Sequence, residues 1–445
     1  MSMFGITNRR HFMMHAAGAA AVTVPGLNFL TGLRAHAAEM KKSGKSLIIL
    51  WMGGGPTTID LWDMKPDSVN GGMHKPKPTA ASGISITEHL PKVAKQFKNL
   101  SIIRSLTTTE GDHNRGTFLM STGRTPNPLV EAPHIGSVLS YLNALDAEAM
   151  KNMDLPSFMS IGGGRVGPGF LGMKYAAFNI QNPGQPPENV APPRDVADRM
   201  TRRAEMFKLL EGLTPPKPGA KPLGLNTNVP ADAVQAHKDV YQKALDLVVS
   251  SRKDIFTFNN TKDAADLERY GNNGFGRGCL LARKLVEAGV VCVEVSLGGW
   301  DMHNDIFRTL AEQRLPTLDS GMAALVEDLA ASGKLKDTVI VWMGEFGRTP
   351  RINQNGGRDH YPRAWSVVVG GGNIKGGIAY GSTDADGTSV KDNPVKIDNL
   401  YATLYKGLGI DPTPETVASV RDNIGRPYYI AGDNPVWIKD LLTNG

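Results

Sequence analysis

Two six-residue runs, Ser-Leu-Ile-Ile-Leu-Trp at 46–51 and Thr-Val-Ile-Val-Trp-Met at 338–343, are apolar at almost every position. A strand with one wet face alternates; these do not, so both faces must be covered, as in a parallel sheet flanked by helices. Four further runs, 100–104, 157–161, 290–296 and 366–369, read the same way. Between them lie helical patterns at 135–145, 197–210, 231–250, 274–288, 306–331 and 399–407. The 306–331 stretch sets Leu310, Leu318, Met322, Leu325 and Leu329 near helical spacing, with Gly333 placed to cap it. Strands alternating with helices predict an α/β fold, a doubly wound and mostly parallel sheet with helices on both faces. Pro- and Gly-rich stretches at 182–193 and 214–230 bracket one helical pattern, so about 174–260 reads as an inserted helical and loop segment of a single domain over 38–445.

The first 37 residues carry no acid and hold Arg9, Arg10 and Arg34, half of the net charge of +6. Adjacent Arg9 and Arg10 followed by Phe12 form a twin-arginine pattern. An Ala- and Gly-rich stretch from Ala16 to Leu33 is too mild for a good membrane anchor. Ala35-His36-Ala37 is a small-x-small site for cleavage after Ala37. The expectation is a signal peptide over 1–37 read by the twin-arginine export machinery. The mature chain is then periplasmic or extracellular and has no permanent membrane anchor. No Lys/Arg run with interleaved aromatics follows, so nucleic acid is not an expected partner. Two cysteines, Cys279 and Cys292, exclude a disulfide framework and a Cys-rich zinc site; a single bridge is open to them outside the cytoplasm, and two buried free thiols are the expectation.

Open α/β sheets gather function at the C-terminal ends of their strands, and the polar clusters fall there. Gly53-Gly54-Gly55, Asp60 and Asp63 follow 46–51; Thr109, Asp112, His113 and Arg115 follow 100–104. Asp301 and His303 follow 290–296, Glu345 and Arg348 follow 338–343, and Arg358, Asp359 and His360 precede 366–369. Oxygen and imidazole donors meeting at one sheet edge suit a divalent metal. Each feature also has a purely structural role open to it. The glycines make a tight turn or an anion cradle; Thr109 is a helix N-cap or a nucleophile. Asp301 and His303 form a turn or a ligand pair, His113 is a ligand or a hydrogen-bond partner, and Glu345 is a ligand or an ion-pair partner of Arg348. His74, His89, His134 and His237 lack ligand-like neighbours and read as core or surface residues. Neither a P-loop nor Gly-x-Gly-x-x-Gly follows the first strand, which argues against a nucleotide or flavin enzyme.

Taken in order, 53–66, 112–126, 299–304, 344–350 and 357–362 resemble the domain of unknown function 1501 family across most of the mature chain. That family is similar in turn to the alkaline phosphatase and sulfatase superfamily, whose members hydrolyse phosphate or sulfate esters or move phosphoryl groups, usually with two metals. The resemblance implies an alkaline phosphatase-like fold and a divalent cofactor, zinc, calcium or manganese, as one or two ions. It puts Thr109 at the nucleophile and Asp60 or Asp63 near the first acid. Asp301, His303 and His360 then match one metal site, and Glu345 with Asp359 or His113 supplies the other. Arg348, Arg115 or Arg358 would clamp an anionic ester substrate. Where the superfamily pattern has an Asp–His pair, this chain has Glu345-Phe346, and phenylalanine cannot ligate a metal. Two functions follow: an exported metal-dependent hydrolase of phosphate or sulfate esters, or a non-catalytic binding or assembly protein that keeps the fold.

Overall fold

The computed structural model describes residues 45–145, 154–164, 166–187, 252–259, 261–414 and 420–443, with isolated positions 239, 247 and 250. The expected leader (1–37) and the expected helix 197–210 lie outside the described residues, as does nearly all of the expected helix 231–250.

Eight strands form one sheet: β1 (Ser46–Trp51), β2 (Leu100–Leu106), β3 (Phe158–Ile161), β4 (Phe178–Ile180), β5 (Cys292–Ser296), β6 (Thr338–Met343), β7 (Trp365–Gly370) and β8 (Ala379–Tyr380). Their spatial order is β8-β2-β7-β6-β1-β5-β3-β4. All neighbouring pairs are parallel except those of β7, which runs antiparallel to both β2 and β6. The chain therefore has the expected α/β architecture, with one reversed strand inside a mostly parallel sheet.

The two-faced apolar pattern of β1 has the expected cause. Ile48 and Leu50 enter one core with Leu280, Leu318 and Trp342, while Leu47 and Ile49 enter the other with Leu139, Tyr401 and Leu404. Helices α3 (Gly274–Glu287) and α4 (Leu315–Ala331) cover the first face; α2 (Ile135–Ala144) and α5 (Ile397–Gly407) cover the second. Cys279 and Cys292 are free and buried, and they belong to opposite cores, so the sheet itself stands between them. Among the described residues no helix is long and apolar enough to cross a membrane.

The stretch 306–331 is helical throughout, as its spacing suggests, but not uniformly α-helical. A short turn of helix at Ile306–Thr309 and a π-helical turn at Leu310–Arg314 precede α4. Pro316 lies in the first turn of α4, where its fixed φ fits and its missing N–H leaves no interior hydrogen bond to the preceding turn. Gly333 stands just beyond α4 with φ +73°, in the left-handed position expected of it.

The C-terminal ends of β1, β2, β5 and β6 share one edge. Trp365, at the start of β7, pairs with Leu106 at the end of β2, so the reversed strand begins at that edge. Residues just before β7 thus join residues just after the four parallel strands.

Candidate metal centre

Helix α1 (His113–Thr122) starts at this edge, and the carboxylate of Asp112 caps it by accepting from the N–H groups of Asn114 and Arg115. Asp112, not Thr109, is the N-cap; Thr109 is exposed in the bend between β2 and α1. His113, first residue of the helix, turns toward the loop after β5. A two-residue ladder, Gly347–Arg348 against His360–Tyr361, brings His360 to the same place. The loop after β1 closes the site. Gly54 has φ +117°, and a Cβ there would stand 2.4 Å from the backbone nitrogen of Asp301, so only glycine allows the approach.

Three imidazoles meet around Asp301. Its carboxylate lies 3.3 Å from His113 Nε2, 3.0 Å from His303 Nε2 and 3.3 Å from His360 Nε2. The Nε2 atoms of His303 and His360 are 3.2 Å apart. The ligand atoms of His113, Asp301 and His360 all fall within 4.8 Å of one another. Each ring is anchored at its far side: His113 Nδ1 to Glu345 Oε1 at 2.8 Å, His303 Nδ1 to Asp359 Oδ1 at 2.7 Å, and His360 Nδ1 to the Gly111 carbonyl at 2.8 Å. A carboxylate or carbonyl only accepts, so all three Nδ1 atoms donate, and in the neutral ring each Nε2 is a bare lone pair.

This leaves acceptors facing acceptors. His360 Nε2 faces His303 Nε2, which already accepts from Arg348 Nη1 at 3.3 Å, and His113 Nε2 is buried without a hydrogen-bond donor although Asp301 is near. A divalent ion removes the conflict. Around a tetrahedral ion with bonds of about 2.1 Å, ligand atoms stand roughly 3.4 Å apart, close to the spacings here. Imidazoles held from behind by carboxylate or carbonyl acceptors are the usual support of such a site. The residues therefore fit a metal, with Asp301, His113 and His360 as its core and His303 adjoining.

Electrostatics agree. Burial would raise the Asp301 carboxyl, but the Arg348 hydrogen bond and charge, with His113 and His360, bring it down to about 2. The hydrogen bond from His303 also holds Asp359 below the usual carboxylate range. The carboxylates of Asp301, Asp359 and Glu345 against the one guanidinium of Arg348 leave a site that favours a cation.

Several expected site residues lie elsewhere or act differently. Asp60 is buried in a two-pronged ion pair with Arg358 and also accepts from Thr57, so both its oxygens are committed away from the cluster. Asp63 accepts from Lys65 and Thr383, with Arg104 at 3.7 Å. Glu345 does not pair with Arg348; its Oε1 accepts from Gly54 N–H and His113, while Oε2 is buried without a partner. Arg348 has no exposed side-chain surface, and its five N–H groups go to the carbonyls of Gly54, Gly55 and Arg358, to Asp301 and to His303. Arg358 is spent likewise on Asp60 and the carbonyls of Asn70, Thr349 and Pro350. Neither can clamp a substrate. Arg115, paired with Glu110 at 2.7 and 2.8 Å, keeps about half of its side chain exposed. Sequence reading gave Glu345 as a ligand and missed its place behind His113; no local spacing signals it, because 232 positions separate the two.

The sequence belongs to the family described as protein of unknown function (DUF1501), whose model matches residues 44–441. No curated protein matches it. Among solved structures it is similar to the PsFucS1 sulfatase from Pseudoalteromonas sp., at 14% identity over 85% of this chain and 70% of that one, with a TM-score of 0.35. It is also similar to the lipoteichoic acid synthase LtaP from Listeria monocytogenes (11%, 88% and 75%, TM-score 0.32). A third similar structure is a protein in the alkaline phosphatase superfamily from Vibrio parahaemolyticus (11%, 84% and 68%, TM-score 0.29).

Proposed function

We propose that this chain is an exported metal-dependent hydrolase of phosphate or sulfate esters, built around one divalent ion. The observation that carries the reading is the convergence of three imidazole Nε2 atoms, those of His113, His303 and His360, within 3.3 Å of the Asp301 carboxylate. His113, Asp301, His303 and His360 would hold the ion. When bound, it supplies Lewis-acid polarisation of an anionic ester. Glu345, Asp359 and the Gly111 carbonyl keep the three rings in the ligating tautomer. The Thr109 hydroxyl, exposed beside α1, is the proposed nucleophile, and Arg115 offers positive charge to the ester at the same helix end. The Arg9-Arg10-x-Phe12 leader supports export through the twin-arginine machinery to the periplasm or beyond.

A second reading rests on a different observation. Asp60 is locked to Arg358 and Glu345 to Gly54 and His113, so a second ion of the two-metal kind has no ready ligand set among the described residues. A single-ion site of this sort could bind anionic esters without splitting them.

Elemental analysis of the folded protein beside an Asp301→Ala/His303→Ala double variant tests the reading. About one zinc, manganese or calcium per chain, lost in the variant, is expected, together with turnover of aryl phosphates or sulfates. Metal without turnover selects the binding reading. No metal in either protein after reconstitution overturns both.

A further inference from the structure

Next to the metal centre, across the Gly53 and Gly298 loops, the sheet edge holds a cavity of about 60 Å³. Its lining is largely polar, with Trp51 and Phe158 of one core beside it. Glu294 and Ser296 project into it from β5, Thr117 and Ser121 from α1, and His134 from the start of α2. Trp51 forms part of the wall.

Glu294 is 6% exposed. A carboxylate buried this deeply costs several kcal/mol unless partnered. Its Oε2 meets His134 Nε2 at 3.0 Å and its Oε1 meets Ser160 Oγ at 3.2 Å. His134 Nδ1 accepts from the Gly136 N–H at 2.9 Å, so the neutral ring donates from Nε2 to Glu294. With both nitrogens engaged, His134 is no general base; the pair presents fixed acceptor oxygens. The loop after β3 lies tight against them: a Cβ on Gly163 would stand 2.2 Å from Ser296 Oγ and 2.9 Å from Glu294 Oε1.

The hydroxyls of Thr117 and Ser121 belong to buried residues, with exposures of 7% and 3%. Neither makes a side-chain hydrogen bond within the described residues, and neither does Ser296. Neither oxygen is among the enclosed side-chain atoms left without a partner, so both hydroxyls open onto the cavity and are free to bond whatever occupies it. Thr117 and Ser121 follow His113 at i+4 and i+8, on one face of α1. At 1.5 Å per residue they stand about 6 and 12 Å along the helix from the metal ligand. A group seated there is within one small molecule's reach of an ester held at the centre.

We propose that this cavity is a subsite for the alcohol portion of the ester, and that it takes a neutral polyol. Hydroxyls donate to the Glu294 carboxylate and exchange hydrogen bonds with Thr117, Ser121 and Ser296, which both give and accept. The volume holds roughly four water-sized groups, enough for a short hydroxylated arm or one edge of a sugar ring. An aryl or alkyl group would leave the hydroxyls and the carboxylate unsatisfied and is disfavoured on that account. The assignment of the alcohol rests on the ester reading above; the polyol preference of the cavity does not.

Calorimetric titration of the full-length protein with methyl phosphate, glycerol 1-phosphate and ethanolamine phosphate tests it, with glycerol alone followed by ligand-observed NMR. Glycerol 1-phosphate should bind about tenfold tighter than methyl phosphate. In Thr117→Val/Ser121→Ala that ratio should fall to about one, with metal content retained and thermal stability equal or higher, since the hydroxyls serve no fold contact. In Asp301→Ala/His303→Ala, loss of both phosphate esters with retained NMR contact to glycerol separates the centre from the subsite. Equal binding of glycerol 1-phosphate and methyl phosphate, or a ratio unchanged in the Thr117/Ser121 variant, overturns the subsite. Preference for ethanolamine phosphate overturns the neutral polyol in favour of an ammonium. If no phosphate ester binds, the phosphate-ester form of that reading fails, and absence of NMR contact to glycerol sinks the polyol preference as well.

Discussion

The Asp60 carboxylate is gripped on both oxygens by the Arg358 guanidinium, each contact 2.7 Å long, and neither side chain has exposed surface. This pair ties the loop after β1 to the segment that delivers Asp359 and His360. It stands as a brace behind the candidate metal ligands.

Removing one partner leaves the other charge buried and alone. Asp60→Asn should therefore cost about 3–5 kcal/mol in urea unfolding. The surviving folded protein should still take up metal. Metal loss at unchanged stability would instead make Asp60 a ligand.

Glu345 and Asp359 act through the rings they hold. Glu345→Gln and Asp359→Asn should each weaken metal binding about 10–100-fold, read by competition with a chromophoric chelator. Turnover of the fully loaded variants should fall much less. An unchanged metal affinity would make these contacts incidental.

Phe346 has no exposed surface and lies 5.0 Å from the His113 ring and 4.6 Å from the His360 ring, centroid to centroid. It fills the space between two ligands. Phe346→Ala should cost about 3–5 kcal/mol and loosen both rings, so metal affinity should drop with stability. Unfolding curves and metal titration of the same sample check this.

In the metal-free protein Asp301 ionises near 2 when folded, against an ordinary value of 3.8. A depressed carboxyl contributes stability that is complete above its unfolded value and is lost as pH falls through the folded one. Stability should therefore decline between about pH 4 and pH 2, and Asp301→Asn should flatten part of that slope. Metal should leave at milder acidity, because protons compete for three imidazoles. A variant with the same acid slope as the parent would contradict the role of Asp301.

Much of the sheet was legible because its strands are apolar on both faces, a pattern that little besides a covered sheet demands. The reversal of β7 was not, since an apolar run carries no direction. The helix 306–331 was legible from its leucine spacing, while the π-helical turn at 310–314, just before Pro316, leaves no mark in that spacing. The centre was partly legible: Asp301, His303 and His360 stand in short motifs at strand ends. Asp60 was indistinguishable from a ligand because its partner lies 298 positions away. The same distance effect hid His134, an isolated histidine in sequence that meets Glu294 160 positions later.

The reversed strand also sets an order of events. The candidate metal ligands His113, Asp301 and His360 are widely spaced in the chain, and the last arrives only because β7 begins at the functional edge. No nascent chain that stops short of residue 360 can assemble the complete set, however well β1 to β6 have paired. A centre that binds an ion through this set would therefore fill only after residue 360 has been made and β7 has taken its place in the sheet.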